Sequence, residues 1–167
     1  MLVYHGSTIE IQTPDIGRGR VNLDFGIGFY VTTLRTQAEK WARRRAKTMR
    51  NKPVVSVYEF TIDKLNILSF DGYTEDWLDF VVKNRAGILT SYPYDAIYGN
   101  IANDDVATIV NDYIRLIRRG RISSNGKSFY LEQLQYSEPN NQYCVATQNG
   151  IEALQFIKSY VVAEAYV

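Results

Sequence analysis

One histidine, one cysteine and four prolines are few for a chain of 167 residues, and each scarcity removes a class of explanation. A lone Cys144 leaves no intramolecular disulfide, and with a single histidine beside it the chain holds no cluster of zinc ligands, so no metal site is expected. Neither sign of charge is in excess: 19 Lys and Arg face 18 Asp and Glu, a formal charge of +1. Without a global field, attraction to nucleic acid or to an anionic membrane has to come from a local patch. No apolar run approaches the roughly eighteen residues of a membrane span, and the N-terminus has no basic stretch leading into an apolar one. The sequence therefore predicts neither a span nor a signal peptide, and no membrane association. Repeats, low-complexity tracts and Pro, Gly and Ser-rich linkers are also missing, which predicts one domain over residues 1–167 with its own core. These features fit a cytoplasmic protein, and an exported toxin delivered by a partner would share them.

What is present is an alternation of short strands and helices. Strands are expected at residues 2–5 and 29–33, with a loop rich in Gly and Arg at 13–22 between them. Thr36-Gln37-Ala38-Glu39 has capping-box spacing, and Ala38, Trp41, Ala42, Ala46 and Met49 follow at helical intervals, so a first helix should pack on Trp41 and stop before Pro53. Strands are expected at 54–62 and 65–70. A second helix should start from Thr74 as N-cap, run through Trp77, Leu78, Val81 and Val82, and end at Gly87. A strand at 94–101 leads to Asn103-Asp104-Asp105, read as the cap of a third helix with Val106, Ile109, Val110, Tyr113, Ile114 and Ile117 on one face and Arg118 and Arg119 before Gly120. A short helix at 128–134, a strand at 142–146 holding a buried Cys144, a short turn or helix at 151–154 and a last strand within 156–167 complete the chain. Strands and helices without regular βαβ alternation predict an α+β fold with a mixed or mostly antiparallel sheet.

Two segments carry the chemistry. The first strand ends in His5-Gly6-Ser7-Thr8, and Asp24-Phe25-Gly26-Ile27-Gly28 leads into Phe29-Tyr30-Val31-Thr32-Thr33. A dinucleotide fingerprint of the Rossmann type needs a third glycine and a helix directly after it, whereas these glycines feed a strand. A Walker phosphate loop is missing as well. Two such strands, one ending in a small residue with accessible backbone and one bearing an aromatic ring, are suited to gripping a flat aromatic ligand.

The order of these segments, with Asn141-Gln142-Tyr143 near the end, resembles the ADP-ribosyltransferase superfamily, in the His-Tyr-Glu branch of diphtheria toxin and the poly-ADP-ribose polymerases. It is closer still to a group of small bacterial proteins of that superfamily. The phrases that match are 24–33, Gln37-Ala38-Glu39-Lys40-Trp41-Ala42, Trp77-Leu78-Asp79-Phe80 through Asn84-Arg85, and Tyr94-Asp95-Ala96-Ile97-Tyr98-Gly99 to Asp105. The resemblance implies a split, mostly antiparallel sheet with flanking helices, NAD as co-substrate, and transfer of ADP-ribose to a protein or nucleic-acid acceptor with release of nicotinamide. It implies that His5 bonds the adenosine ribose, that the Gly6 backbone, next to Ser7, holds the nicotinamide carboxamide, and that Tyr30, after Gly28, stacks on the ring. The branch places a glutamate where this chain has Gln142, which accepts the same ribose hydroxyl bond but brings no full charge to an oxocarbenium-like transition state. A bacterial toxin with a small antitoxin partner is implied too.

Further candidates follow from position and residue type. Arg18 and Arg20 are placed to grip a diphosphate in a guanidinium fork. Asn140 would share a face with Gln142 if the strand extended that far, and contact the acceptor. Glu132 and Glu138 are nearby carboxylates. Two other functions compete with transfer: a non-catalytic module that binds NAD or ADP-ribose, and a nucleic-acid-binding protein that uses the basic stretch 43–52.

Overall fold

The structure is a computed structural model and describes residues 1–88, 93–102, 104–120, 124–134 and 140–163. It is an α+β fold built on two sheets. The first has the order β1 (Leu2–Ser7), β3 (Val54–Phe60), β7 (Leu154–Val161); the second has β2 (Phe29–Val31), β6 (Gln142–Val145), β5 (Ala96–Gly99), β4 (Ile67–Ser69). Among the described residues every strand pairing is antiparallel except β4 with β5. The sheets meet at one bridge, where Tyr4 and Thr32 exchange backbone hydrogen bonds of 2.8 and 3.0 Å.

Strand alternation sorts the side chains into two faces. On one, Val3, Tyr58, Phe60, Phe29, Val31, Tyr143 and Val145 close a core between the sheets. On the other, Tyr4, Val55 and Val57 pack on Ala38 and Ala42 of α1 (Arg35–Met49). The same face of the second sheet, through Ile97 and Cys144, packs on α2 (Glu75–Arg85) and α3 (Asp104–Arg118), with Leu134 of α4 (Ser124–Leu134) joining the cluster. Trp77 is fully buried there and donates from Nε1 to the Asn100 carbonyl at 2.9 Å. A bond at that place satisfies the one polar group the indole brings into the core.

Several expectations hold. Thr74 caps α2, accepting from the Trp77 amide at 3.2 Å, and Gly87 and Gly120 take left-handed φ just past α2 and α3. Cys144 is a buried strand residue whose thiol is pushed up to about 12, burial being the main cause. The first helix differs. Its N-cap is Leu34 rather than Thr36, and the Leu34 amide is bonded by Thr32 Oγ1 at 3.0 Å. Glu39 turns away from the helix start to Arg35 at 2.8 Å and the Tyr160 hydroxyl at 2.9 Å. Trp41 is 43 % exposed, because the helix packs through the small stripe Ala38, Ala42, Ala46 and its backbone lies too close to β1 to admit an indole. The helix ends before Pro53, with Arg50 in the left-handed region. β2 to β6 are shorter than expected, whereas β1 runs two residues further, to Ser7, and β7 starts at Leu154; the third helix starts at Asp104, α4 starts four residues early, and the segment near 151 is a helix, α5 (Gln148–Glu152). Asn103, expected in the cap of α3, lies outside the described residues.

Candidate functional site

The bridge at Tyr4 and Thr32 fixes what lies beside it. Both Tyr4 backbone groups aim at β2, so alternation turns the Gly6 N–H and C=O toward the same edge. Past the bridge β2 keeps to β6, with Tyr30 opposite Cys144, while β1 keeps to β3, with Gly6 opposite Val55. The two strands therefore part between Gly6 and Tyr30. A split in the sheet opens there, edged by backbone groups.

His5 spans this split. Its Nδ1 lies 2.7 Å from the Tyr30 carbonyl oxygen, which only accepts, so the proton sits on Nδ1 and Nε2 is left as an acceptor. The ring stacks on Phe29 with centroids 4.4 Å apart. Burial lowers the imidazole pKa, opposed by the bond to Tyr30 and assisted by the positive charge of Arg45, which keeps the ring neutral. With Nδ1–H committed to Tyr30, the neutral ring offers an acceptor at Nε2.

Gly6 has a packing reason for being glycine. A Cβ there would collide with the Ala38 carbonyl oxygen and sit 3.0 Å from the Ala42 amide nitrogen, so α1 rests directly on β1 at this point. Gly28 is similar: a Cβ would meet the Val145 carbonyl oxygen at 2.6 Å, so β6 packs against its backbone. Ser7 ends β1 on the face of His5 and is half-buried.

Tyr30 and Gln142 point to the opposite face, the one shared with Gly6. Tyr30 is half-buried; its hydroxyl donates to the Gly26 carbonyl at 2.7 Å and accepts from the Phe25 amide at 3.2 Å, which ties the ring under the turn at 24–26. Burial raises its pKa well above the ordinary value, with the neighbouring Cys144 and Asp24 adding to the rise. Gln142 is 9 % exposed, and its Nε2 donates to Asp24 Oδ2 at 3.2 Å. Asp24 Oδ1 accepts from Arg85 Nε at 2.8 Å and lies 2.5 Å from Arg85 Nη2, and Oδ2 also takes the Ala102 amide at 2.9 Å.

The facing wall comes from α1. Gln37 brackets the Asn141 backbone, donating to its carbonyl at 2.7 Å and accepting from its amide at 3.2 Å. One turn on is Trp41, and the next is Arg45, whose charge acts on His5. Residues four apart share a helix face, so Trp41 lies between Gln37 and Arg45 on one side of α1. Sequence reasoning assigned Trp41 to the core. Its signal was present: in the stripe Ala38, Ala42, Ala46 every residue is small, which leaves the large neighbour off the packed face.

Other candidates stand apart from the split. Arg18 sits in a 3-10 turn (Ile16–Arg18) in solvent, 3.4 Å from Asp15, and Arg20 is exposed in the same loop. That loop runs past the glycine turn, since a Cβ on Gly19 would be 3.1 Å from the Gly28 amide nitrogen. Asn140 is committed to structure: it accepts from the Ile101 amide at 2.7 Å and donates to the Tyr73 hydroxyl at 3.0 Å, because β6 begins two residues later. Glu132 is exposed on α4, and Glu138 lies outside the described residues. The basic stretch 43–52 is distributed around α1 rather than on one face, with Arg43 donating to the Ala163 carbonyl at 3.2 Å and Arg45 near His5. Behind Arg85, a cavity of about 320 Å³ is lined by Asn22, Asn111, Ile114, Arg115 and Arg118.

No helix among the described residues is long and apolar enough to cross a membrane. No curated protein and no solved structure matches the chain. One family does, over residues 1–156, and the chain belongs to it: the family described as "Protein of unknown function (DUF3990)".

Proposed function

We propose that the chain is an NAD-dependent mono-ADP-ribosyltransferase, a glycosyltransferase with a split-sheet fold of the ADP-ribosyltransferase kind. The observation that carries this reading is the parting of β1 and β2 between Gly6 and Tyr30, where strand edges that would otherwise pair are left for a ligand. An amide-bearing aromatic fits such an opening. The Gly6 N–H and C=O would bond a carboxamide through its oxygen and its NH2 together, while the Tyr30 ring supplies a flat face. Trp41 supplies a second aromatic surface from α1. Nε2 of His5 would accept from a ribose hydroxyl, with Ser7 beside it. Arg18 and Arg20, beside the Gly28 turn, would meet the diphosphate by a movement of their exposed side chains.

The reaction breaks the bond between ribose C1′ and the pyridinium nitrogen. The electron pair leaves with nicotinamide, and the positive charge passes to the ribose until an acceptor nucleophile adds and loses its proton. Gln142, on the Tyr30 face, would accept the ribose 2′-hydroxyl through Oε1. That contact matters most while the charge is developing. The resemblance further supports a cytoplasmic bacterial toxin acting on a protein or nucleic acid and paired with a small antitoxin protein.

A calorimetric titration with NAD, followed by measurement of nicotinamide release, tests the reading. Binding with release is expected. No binding up to millimolar NAD, where even about 4 kcal/mol of affinity registers, overturns it. The neutral amide of Gln142 favours one competitor, a module that binds NAD or ADP-ribose without turnover, and binding without release would select it.

A further inference from the structure

We propose that Asp24 is a positioning residue of this site, orienting and polarising the Gln142 amide so that its carbonyl oxygen faces the ribose. The inference rests on the transferase reading above and concerns the same site. Its basis is the set of donors gathered on one carboxylate. Asp24 is 8 % exposed and takes Arg85 on Oδ1, with the Ala102 amide and Gln142 Nε2 on Oδ2. An ionised carboxylate only accepts, so Gln142 must turn its NH2 toward Asp24 and its Oε1 away. The orientation of the amide is thereby set by chemistry rather than by shape. Arg85 occupies the far oxygen, and the near oxygen, shared with the Ala102 amide, polarises the Gln142 amide through a charge-assisted bond that makes Oε1 a stronger acceptor.

The same geometry accounts for glutamine at this position. A glutamate there would set its carboxylate 3.2 Å from Asp24 Oδ2, where Nε2 now sits. Two carboxylates at that range repel, and neither can donate to the other once both are ionised. Glutamine is the donor that such a neighbour requires. Asp24 opens the turn that bonds the Tyr30 hydroxyl through Phe25 and Gly26, so one short segment holds both the stacking ring and the ribose contact.

The test compares wild type with Asp24→Asn, Gln142→Glu and the double variant, reading NAD affinity by calorimetry and nicotinamide release at saturating NAD across pH 5 to 9. Asp24→Asn should lower release at least tenfold while affinity stays within about threefold, because an asparagine no longer dictates which way the Gln142 amide faces. Gln142→Glu should release nicotinamide faster at low pH, where its protonated carboxyl can still donate to Asp24, and lose activity as the pH rises; wild type should lack that limb. The charge-swapped double variant should recover at least tenfold over Asp24→Asn. A folded Asp24→Asn protein with wild-type release, or a Gln142→Glu profile that superimposes on wild type, overturns the role of Asp24 and leaves the transferase reading standing. A wild type that binds or turns over no NAD removes that reading and this one with it. If Asp24→Asn does not fold, the Gln142→Glu profile decides, since that chain keeps the Asp24 to Arg85 pair.

Discussion

Replacing Tyr30 by Phe separates what its hydroxyl does from what its ring does. The hydroxyl donates to the Gly26 carbonyl at 2.7 Å and accepts from the Phe25 amide at 3.2 Å. A net hydrogen bond contributes about 1 kcal/mol, so the two together contribute about 2 kcal/mol. For a chain of this length that is a fall in Tm of roughly 4–8 °C. The ring stays, so NAD affinity should move less than about threefold. Tyr30→Ala removes the ring as well, and with it packing against the Phe25 and Cys144 cluster, at about 3 kcal/mol or more. It should weaken NAD binding roughly tenfold. Urea melts at constant m and calorimetric titrations measure both quantities. A Tyr30→Phe protein as stable as wild type would refute the hydroxyl bonds, and one that loses as much affinity as Tyr30→Ala would refute the stacking role.

Gly6→Ala should destabilise by roughly 1–3 kcal/mol through overpacking, measured by the same melts, since the new methyl runs into the Ala38 carbonyl and neither backbone can yield cheaply. Trp41→Ala should do the reverse, lowering NAD affinity severalfold with a change in stability below about 1 kcal/mol, because the indole is largely exposed. His5, with its folded pKa below the unfolded value near 6.5, binds its proton more readily when unfolded, so stability should be full above that pH and fall as pH drops from it toward the folded pKa. The slope is at most about 1.4 kcal/mol per pH unit, and His5→Gln should remove that component from a Tm series between pH 7 and 5.

Local signals were legible where they need no tertiary information. The Thr74 cap, the glycine stops after α2 and α3, the apolar face of α3 and the burial of Cys144 all follow from periodicity and propensity. The start of α1 did not, because the hydroxyl that bonds the amide of its N-cap, Leu34, comes from Thr32 two residues earlier, and Glu39 is drawn to Tyr160, which is 121 residues away. Tyr30 and Gln142 share a face because β2 and β6 pair with Tyr30 opposite Cys144, a register the sequence does not disclose. That Asp24 and Arg85 stand behind Gln142 could not be read, because the bonds cross 118 and 61 positions and nothing local marks the three as neighbours. Asn140 failed for a related reason. Its place on a strand face depended on where β6 starts, and the amides of Ile101 and Asn140 settle that against the loop.

The first sheet draws its middle strand from residues 54–60 and its flanking strands from residues 2–7 and 154–161. That order has a consequence for synthesis. Until the last of these segments leaves the ribosome, β3 has one edge unpaired, and five of its seven residues in succession, Val54 to Tyr58, are ones the finished fold buries. Exposed apolar strand edges recruit other chains, and pairings of high sequence separation form late. A chain interrupted before residue 154 should therefore collect in aggregates instead of folding to a stable intermediate, and the half of the sheet that carries Gly6 becomes competent only once residues 154–161 have been made.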